Sequence, residues 1–344
     1  MKKIFATLLV LLLIVGCGKN DKPVLKVYNW GEYIDKDVIF DFEEEYCVRV
    51  QYDVFRSNEL MYTKLASEDY DVLIPSDYMI QRLVEEDRLQ EIDFSKIKNY
   101  VNVDDVYKNR HFDPEGKYAV PYFVGSVGLV YNTKAVDQAL IEKEGWNILM
   151  NPQFKDRTFF YNSERDAFMV ALKTLGYSMN TENEKELNEA YDWLVEMKKV
   201  MNPVYVDYYV IDAMASGERD IAVMYSGDAS YVLSENEDLA YIEPAQGTNT
   251  WIDGMVISKN AQNVDAAHDF IDFILRDENS EKISVEVGYT SPLPKVSKKL
   301  SETEYEGISS YIPRTGYELD EEFYYNENIK SVMNELWSKV TAIK

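Results

Sequence analysis

Cysteine and histidine are almost missing from this chain. Two of each occur among 344 residues: Cys17, Cys47, His111 and His268. With Cys17 assigned to the N-terminus below, Cys47 has no partner, so no internal disulfide braces the fold and the core must hold it. Cys47 stands between Tyr46 and Val48 and reads as a small buried hydrophobe at a helix-to-strand junction. Neither histidine has a second ligand-type residue at metal spacing, and His268, inside a helical pattern, reads as structural. No Gly-x-Gly-x-x-Gly and no phosphate loop follows a strand, and Gly125-Ser126-Val127-Gly128 is not the Gly-x-Ser-x-Gly nucleophile elbow. The residues therefore call for no cofactor and no metal. Positive charge is scarce too: 36 Lys and Arg stand against 61 Asp and Glu, for a net charge of −25. That balance argues against nucleic acid and against adsorption to anionic lipid.

Long apolar runs are also missing, apart from residues 4–15, which are too short to span a bilayer comfortably. They follow Lys2 and Lys3 and end at Gly16-Cys17, the layout of a signal peptide over residues 1–16. Ile14-Val15-Gly16-Cys17 resembles a bacterial lipobox, in which cleavage leaves Cys17 as a lipidated N-terminus. Residues 17–23 would then be a short polar tether to the cell membrane, placing the protein outside the cytoplasm.

What is abundant is tyrosine, with 27 against 14 phenylalanines. Tyrosine joins an apolar ring to a hydroxyl and suits a cleft that is both adhesive and wet. Strand and helix patterns alternate from the start of the mature chain. Strands are expected at residues 24–28, 48–54 and 70–74, with helices at 35–46, 57–67 and 77–86 between and after them. This βαβαβα rhythm implies a parallel, helix-covered sheet in an α/β fold. Residues 118–132 form a long apolar strand interrupted by Gly125 and Gly128, read as a crossing between two lobes where backbones approach closely. A second α/β set follows, with strands at 158–161, 221–225, 239–243 and 253–258 and a final helix at 326–340.

Aromatic and acidic residues recur at strand ends, where ligands bind in α/β sheets. Trp30, Glu32 and Tyr33 follow the first strand, and Ser76, Asp77 and Tyr78 follow the third. Ser163 and Asp166 come after residue 161, Tyr225 closes another strand, and Trp251 and Asp253 open the next. Gly288-Tyr289 ends a helix. Each has a plainer reading: Trp30 and Tyr33 as core anchors, Asp77 as a helix cap, Ser163-x-x-Asp166 as a capping box, Tyr225 and Trp251 as packing. Acidic pairs are plentiful, so a cell-surface hydrolase using two carboxylates stays open, as does a binding protein for another small cationic solute.

Taken in order, Tyr28-Asn29-Trp30-x-Glu32-Tyr33, Ser57-Asn58-Glu59-x-Met61-Tyr62, Pro75-Ser76-x-Tyr78, Pro121-Tyr122, Trp251-x-Asp253, Gly288-Tyr289 and Pro292 resemble the spermidine/putrescine-binding proteins of bacterial polyamine ABC transporters. The resemblance implies a two-lobed periplasmic-binding-protein fold of class II type, with the ligand cleft between lobes joined by hinge crossovers. Residues 24–128 with 252–297 would form one lobe, and 129–251 with 298–344 the other. It further implies a non-enzymatic monomer that captures a polyamine and hands it to an ABC transporter permease. Trp30, Tyr33, Tyr78, Trp251 and Tyr289 would wall the methylene chain, Asp253 would hold one ammonium and Asp166 another nitrogen. Three departures stand out. Gly31 replaces a hydroxyl residue, Tyr225 a tryptophan, and Ser163 a second acid, which favours a diamine over a triamine. Glu164 and Glu32 are the candidate substitute carboxylates.

Overall fold

The computed structural model describes residues 22–206 and 209–343. The signal segment, Cys17 and all but the last two residues of the tether lie outside the described residues. The chain opens with β1 (Val24–Trp30), α1 (Lys36–Tyr46), β2 (Arg49–Phe55), α2 (Asn58–Lys64), β3 (Val72–Leu73) and α3 (Asp77–Glu85). After three short 3₁₀ turns comes β4 (Ala119–Asn132), then α4 (Gln138–Glu144), β5 (Thr158–Tyr161), α5 (Glu164–Thr174) and α6 (Glu184–Met201). The order continues with β6 (Val204–Val206), α7 (Tyr209–Ala215), β7 (Ile221–Tyr225), α8 (Ser226–Glu235), β8 (Leu239–Ile242) and β9 (Thr250–Ile257). Four helices complete it: α9 (Val264–Ile274), α10 (Asp277–Val287), α11 (Pro294–Ser301) and α12 (Glu327–Thr341).

The first three strands pair in parallel, in the order β2-β1-β3. There the expected parallel rhythm stops. β9 inserts antiparallel between β3 and β4, and β4 pairs antiparallel with β7 and β8 before β7-β5-β6 resumes in parallel. The sheet is therefore mixed, its antiparallel pairs formed by β4 and β9 with strands distant in the chain. β4 joins the two halves. Ala119–Ser126 pair with β9, and Val127–Asn132 with β7 and β8. At the hand-over the two glycines admit close neighbours, since a Cβ on Gly125 would fall on the Trp251 ring and one on Gly128 on Tyr241 and the Ile242 carbonyl.

Two cores occupy the two ends. Leu25, Val38, Phe42, Ile74, Phe270 and Ile274 pack in one, and Val130, Phe159, Val210, Met214 and Val232 in the other. Val296, Leu300, Tyr305 and Tyr311 belong to the first of these, so α11 and the turns after it pack beside α10. A third cluster runs between the halves, from Met61, Met79 and Leu83 to Phe168, Leu172 and Trp337. Side-chain caps start six of the twelve described helices, α1, α2, α4, α5, α6 and α12. Asp35 accepts from Asp37 N at 2.7 Å and Ser57 from Leu60 N at 3.2 Å, in the usual manner of N-caps. Cys47 differs from its expectation: it is half-buried and caps α1 in the left-handed region with φ 52°. His268 is buried and structural, its ring nitrogens facing Asp93 N at 2.9 Å and Val264 O at 2.7 Å.

Candidate functional site

All eleven binding candidates line a single cavity of about 770 Å³ between the two sheet halves. β1 ends at Trp30, whose ring centroid lies 4.6 Å from that of Phe55. The turn after it carries Glu32 in a left-handed conformation, φ 51°, and exposed at the rim. Tyr33 is buried, packing edge-on against Phe123 at 5.3 Å and Tyr289 at 5.4 Å. The plainer core reading of Tyr33 is thus true of its ring, while its hydroxyl reaches the cavity side and donates to Asp253 Oδ2 at 2.8 Å.

Asp253 is held by β9, beside an isolated bridge to Ser76, and is 5 % exposed. Its Oδ1 is buried with no hydrogen-bond partner. Burial pushes the carboxyl up to about 6, against the opposing pull of the nearby Ser76 hydroxyl and of the hydrogen bond from Tyr33. Trp251 stands next to it, 5.3 Å from the Tyr289 ring, and the indole nitrogens of Trp251 and Trp30 are also buried without partners.

On the opposite wall Ser163 caps α5, its Oγ accepting from Asp166 N at 3.3 Å. Capping and cavity lining coexist in these residues. Asp166 is buried and accepts from the Tyr225 hydroxyl at 2.7 Å; burial raises its pKa. Tyr225 stacks on Tyr161 with centroids 4.5 Å apart. Tyr78 roofs one end, accepting from Asn58 Nδ2 at 2.9 Å. Asp77 is no side-chain cap. Its oxygens accept from Tyr78 N at 2.6 Å and Ile252 N at 3.3 Å, and burial raises its pKa well above the usual range.

Asp228, given no role by the sequence reading, is a further, half-buried acid of this cavity. It accepts from Tyr161 at 2.6 Å and from Tyr289 at 2.9 Å, and burial raises its pKa. Ser226-Gly227-Asp228 forms the first turn of α8, starting directly from β7. The one available signal was an acid three residues after a strand-end tyrosine. Arg165, also missed, enters from α5 with its guanidinium 3.8 Å from the Tyr78 ring centroid. In all, nine carboxylates and two guanidinium groups line the cavity. Acids at both walls and aromatic faces between them suit an extended organic cation: a cation over a ring contributes about 0.5–2 kcal/mol, and a carboxylate at about 4 Å about 4 kcal/mol at an effective dielectric near 20.

Residues 67–309 match the family described as bacterial extracellular solute-binding protein. The chain belongs to that family. Among its relatives, a spermidine/putrescine-binding periplasmic protein of Salmonella typhimurium is 32 % identical, covering 82 % of this chain and 81 % of that one. A putrescine-binding periplasmic protein of Pseudomonas aeruginosa is 29 % identical, over 87 % and 89 %. Two solved structures share the two-lobed fold. The spermidine/putrescine ABC transporter substrate-binding protein of Streptococcus pneumoniae superposes with TM-score 0.81, 34 % identity and coverage of 93 % and 99 %. The Tp0655 lipoprotein of Treponema pallidum gives 0.79 at 27 % identity, covering 92 % and 99 %. Residues 1–109 also match a family described as hypothetical lipoprotein (MG045 family). This family and these relatives are binding proteins of transporters, so the solute-binding protein's cleft is read as a binding site.

Proposed function

We propose that this solute-binding protein captures a polyamine outside the cytoplasm and delivers it to the permease of an ABC importer. The observation that carries this reading is Asp253: a buried carboxylate with one oxygen engaged by Tyr33 and the other unpartnered, walled by Trp251 and Tyr289. A buried charge without a partner is costly, and an ammonium group supplies the missing one. Asp166 and Asp228, from the first turns of α5 and α8, form the second anionic pole. Trp30, Tyr33, Tyr78, Tyr225, Trp251 and Tyr289 enclose the methylene chain, with Glu32, Ser76 and Ser163 as polar lining. Two poles support putrescine ahead of spermidine. The relatives' own ligands, spermidine and putrescine by name, support the class.

The lobes bend about their crossovers to close on the ligand. We keep the boundaries of the sequence reading in this proposal, but assign residues 298–311 to the first lobe, a choice supported by the packing of Leu300 and Tyr311 there. The lipobox at Cys17 and the match to a lipoprotein family support a lipid anchor. Replacing Cys17 by Ser would then release the protein from the membrane. The decisive experiment for the ligand is a thermal melt with and without 1 mM putrescine, spermidine or an oligosaccharide. A ligand at about 100 times its dissociation constant adds about 2.7 kcal/mol. A shift with putrescine exceeding that with spermidine is expected. Absence of a shift with every polyamine, or a shift with oligosaccharide alone, rejects the reading.

A further inference from the structure

A cation in a cleft built for cations requires an explanation, and Arg165 is that cation. It projects from α5 near the head of the helix, 12 % exposed, and lies flat over Tyr78 of α3. Its Nη2 is 3.6 Å from Glu59 Oε1, on the first turn of α2. Lys330 of α12 approaches the same oxygen at 3.4 Å, and the Tyr78 hydroxyl lies at 3.4 Å. α12 packs on α5 and α6, whereas α2 and α3 flank the β2-β1-β3 end of the sheet. Glu59 thus receives two cations from the far side of the cleft. Neither contact is a full hydrogen bond, and Arg165 Nε and Nη2 remain buried without partners. The group is held by charge and by the face of a ring, both of which tolerate small shifts, as a contact that forms and breaks must. A second tie beside it joins the same two sides: Tyr325 N donates to the Gln81 side chain at 2.8 Å, and Arg82 faces Glu327 at 3.5 Å.

We propose that Glu59, Arg165 and Lys330 form a lobe-to-lobe latch that sets ligand affinity by stabilising the closed protein, as positioning residues that do not hold the ligand themselves. Charges that pair only on closure raise the closed fraction before ligand arrives, and affinity scales with that fraction. The latch rests on the reading of the protein as a closing binder.

The test places fluorophores at Val101 and Asn188, exposed positions at the two ends, in a Cys47→Ser background, and follows the distance between them by energy transfer. Glu59→Gln, Arg165→Gln and the milder Lys330→Gln are compared with the parent, with and without putrescine. Each variant is expected to lengthen the ligand-free distance and to raise the putrescine Kd, by about tenfold for Glu59→Gln. In 0.5 M NaCl the difference between parent and Glu59→Gln should shrink, because screening lengthens the parent's ligand-free distance and raises its Kd more than the variant's, and the Glu59→Gln/Arg165→Gln double variant should be no weaker than the worse single. Weaker binding with an unchanged ligand-free distance would make Glu59 a ligand carboxylate and overturn the latch, as would no change in either quantity. If the parent fails to close on any polyamine, the polyamine reading fails, while the ligand-free distances still decide the latch.

Discussion

Burial keeps the Asp253 carboxyl protonated up to about pH 6, so the empty cleft is most stable when this group is neutral. Its folded pKa lies above the unfolded value near 3.9. The stability it contributes is therefore complete below about pH 3.9 and lost as pH rises through about 6. Two units correspond to about 3 kcal/mol. Asp253→Asn should consequently melt higher than the parent at pH 7.5 without ligand, while putrescine binding falls at least about a hundredfold. An unchanged or lower melting point, or parent-like affinity in titration calorimetry, would contradict the assignment. Ligand affinity has the opposite pH sense. An ammonium group binds the ionised carboxyl, so putrescine affinity should weaken as pH falls from 7 to 5, turning down near 6 and approaching about tenfold per unit below it. Calorimetry in buffers of different ionisation heat should show protons released on binding at pH 6.

The starts of α5 and α8 do two things at once. Each helix begins directly after a strand end, so its first turn offers backbone N–H groups and side chains to the same cavity. Ser163 uses its oxygen to cap α5, and Asp caps as well as Ser. Ser163→Asp keeps the cap and adds a carboxylate beside Asp166. Spermidine should gain relative to putrescine by about fivefold or more in the ratio of dissociation constants, with an unchanged melting point for the empty protein. A ratio that does not move would remove Ser163 from ligand choice. Sequence reading reached this wall through Asp166 and Tyr225, because aromatic and acidic residues at strand ends are visible in one dimension. It passed over Asp228 because Ser-Gly-Asp are poor helix formers, and α8 is buried around so much of its surface that no amphipathic stripe marks it. Arg165 escaped for another reason: an arginine in a first helical turn ordinarily points to water, and only the partner α3 across the cleft draws it over Tyr78.

At the scale of the whole molecule, the alternation of strands and helices made the α/β class legible, and the glycines of β4 marked the crossing. Direction was not legible. β4 is buried on both faces for thirteen of its fourteen residues, so the pattern carries no sign of which neighbours run antiparallel. The insertion of β9 between β3 and β4 joins Val72 to Ile257 and Leu73 to Val256, more than 180 positions apart, and no local signal encodes that. Because β4 hydrogen-bonds to both halves, the two should lose structure together: urea unfolding followed by tryptophan fluorescence and by far-UV dichroism should give one coincident transition. Two separated transitions would show that the halves are independent.

The late arrival of β9 has a consequence for biogenesis. A chain emerging N-terminus first presents β1, β2 and β3 early, yet β3 keeps an open edge until residues 250–257 appear. No N-terminal domain can be completed while the rest is still being threaded. On the proposed route out of the cytoplasm, the chain would stay unfolded and shielded through roughly three quarters of its passage. An apolar edge strand waiting that long is an aggregation hazard, and β3, cut to Val72–Leu73, offers little for another chain to pair with.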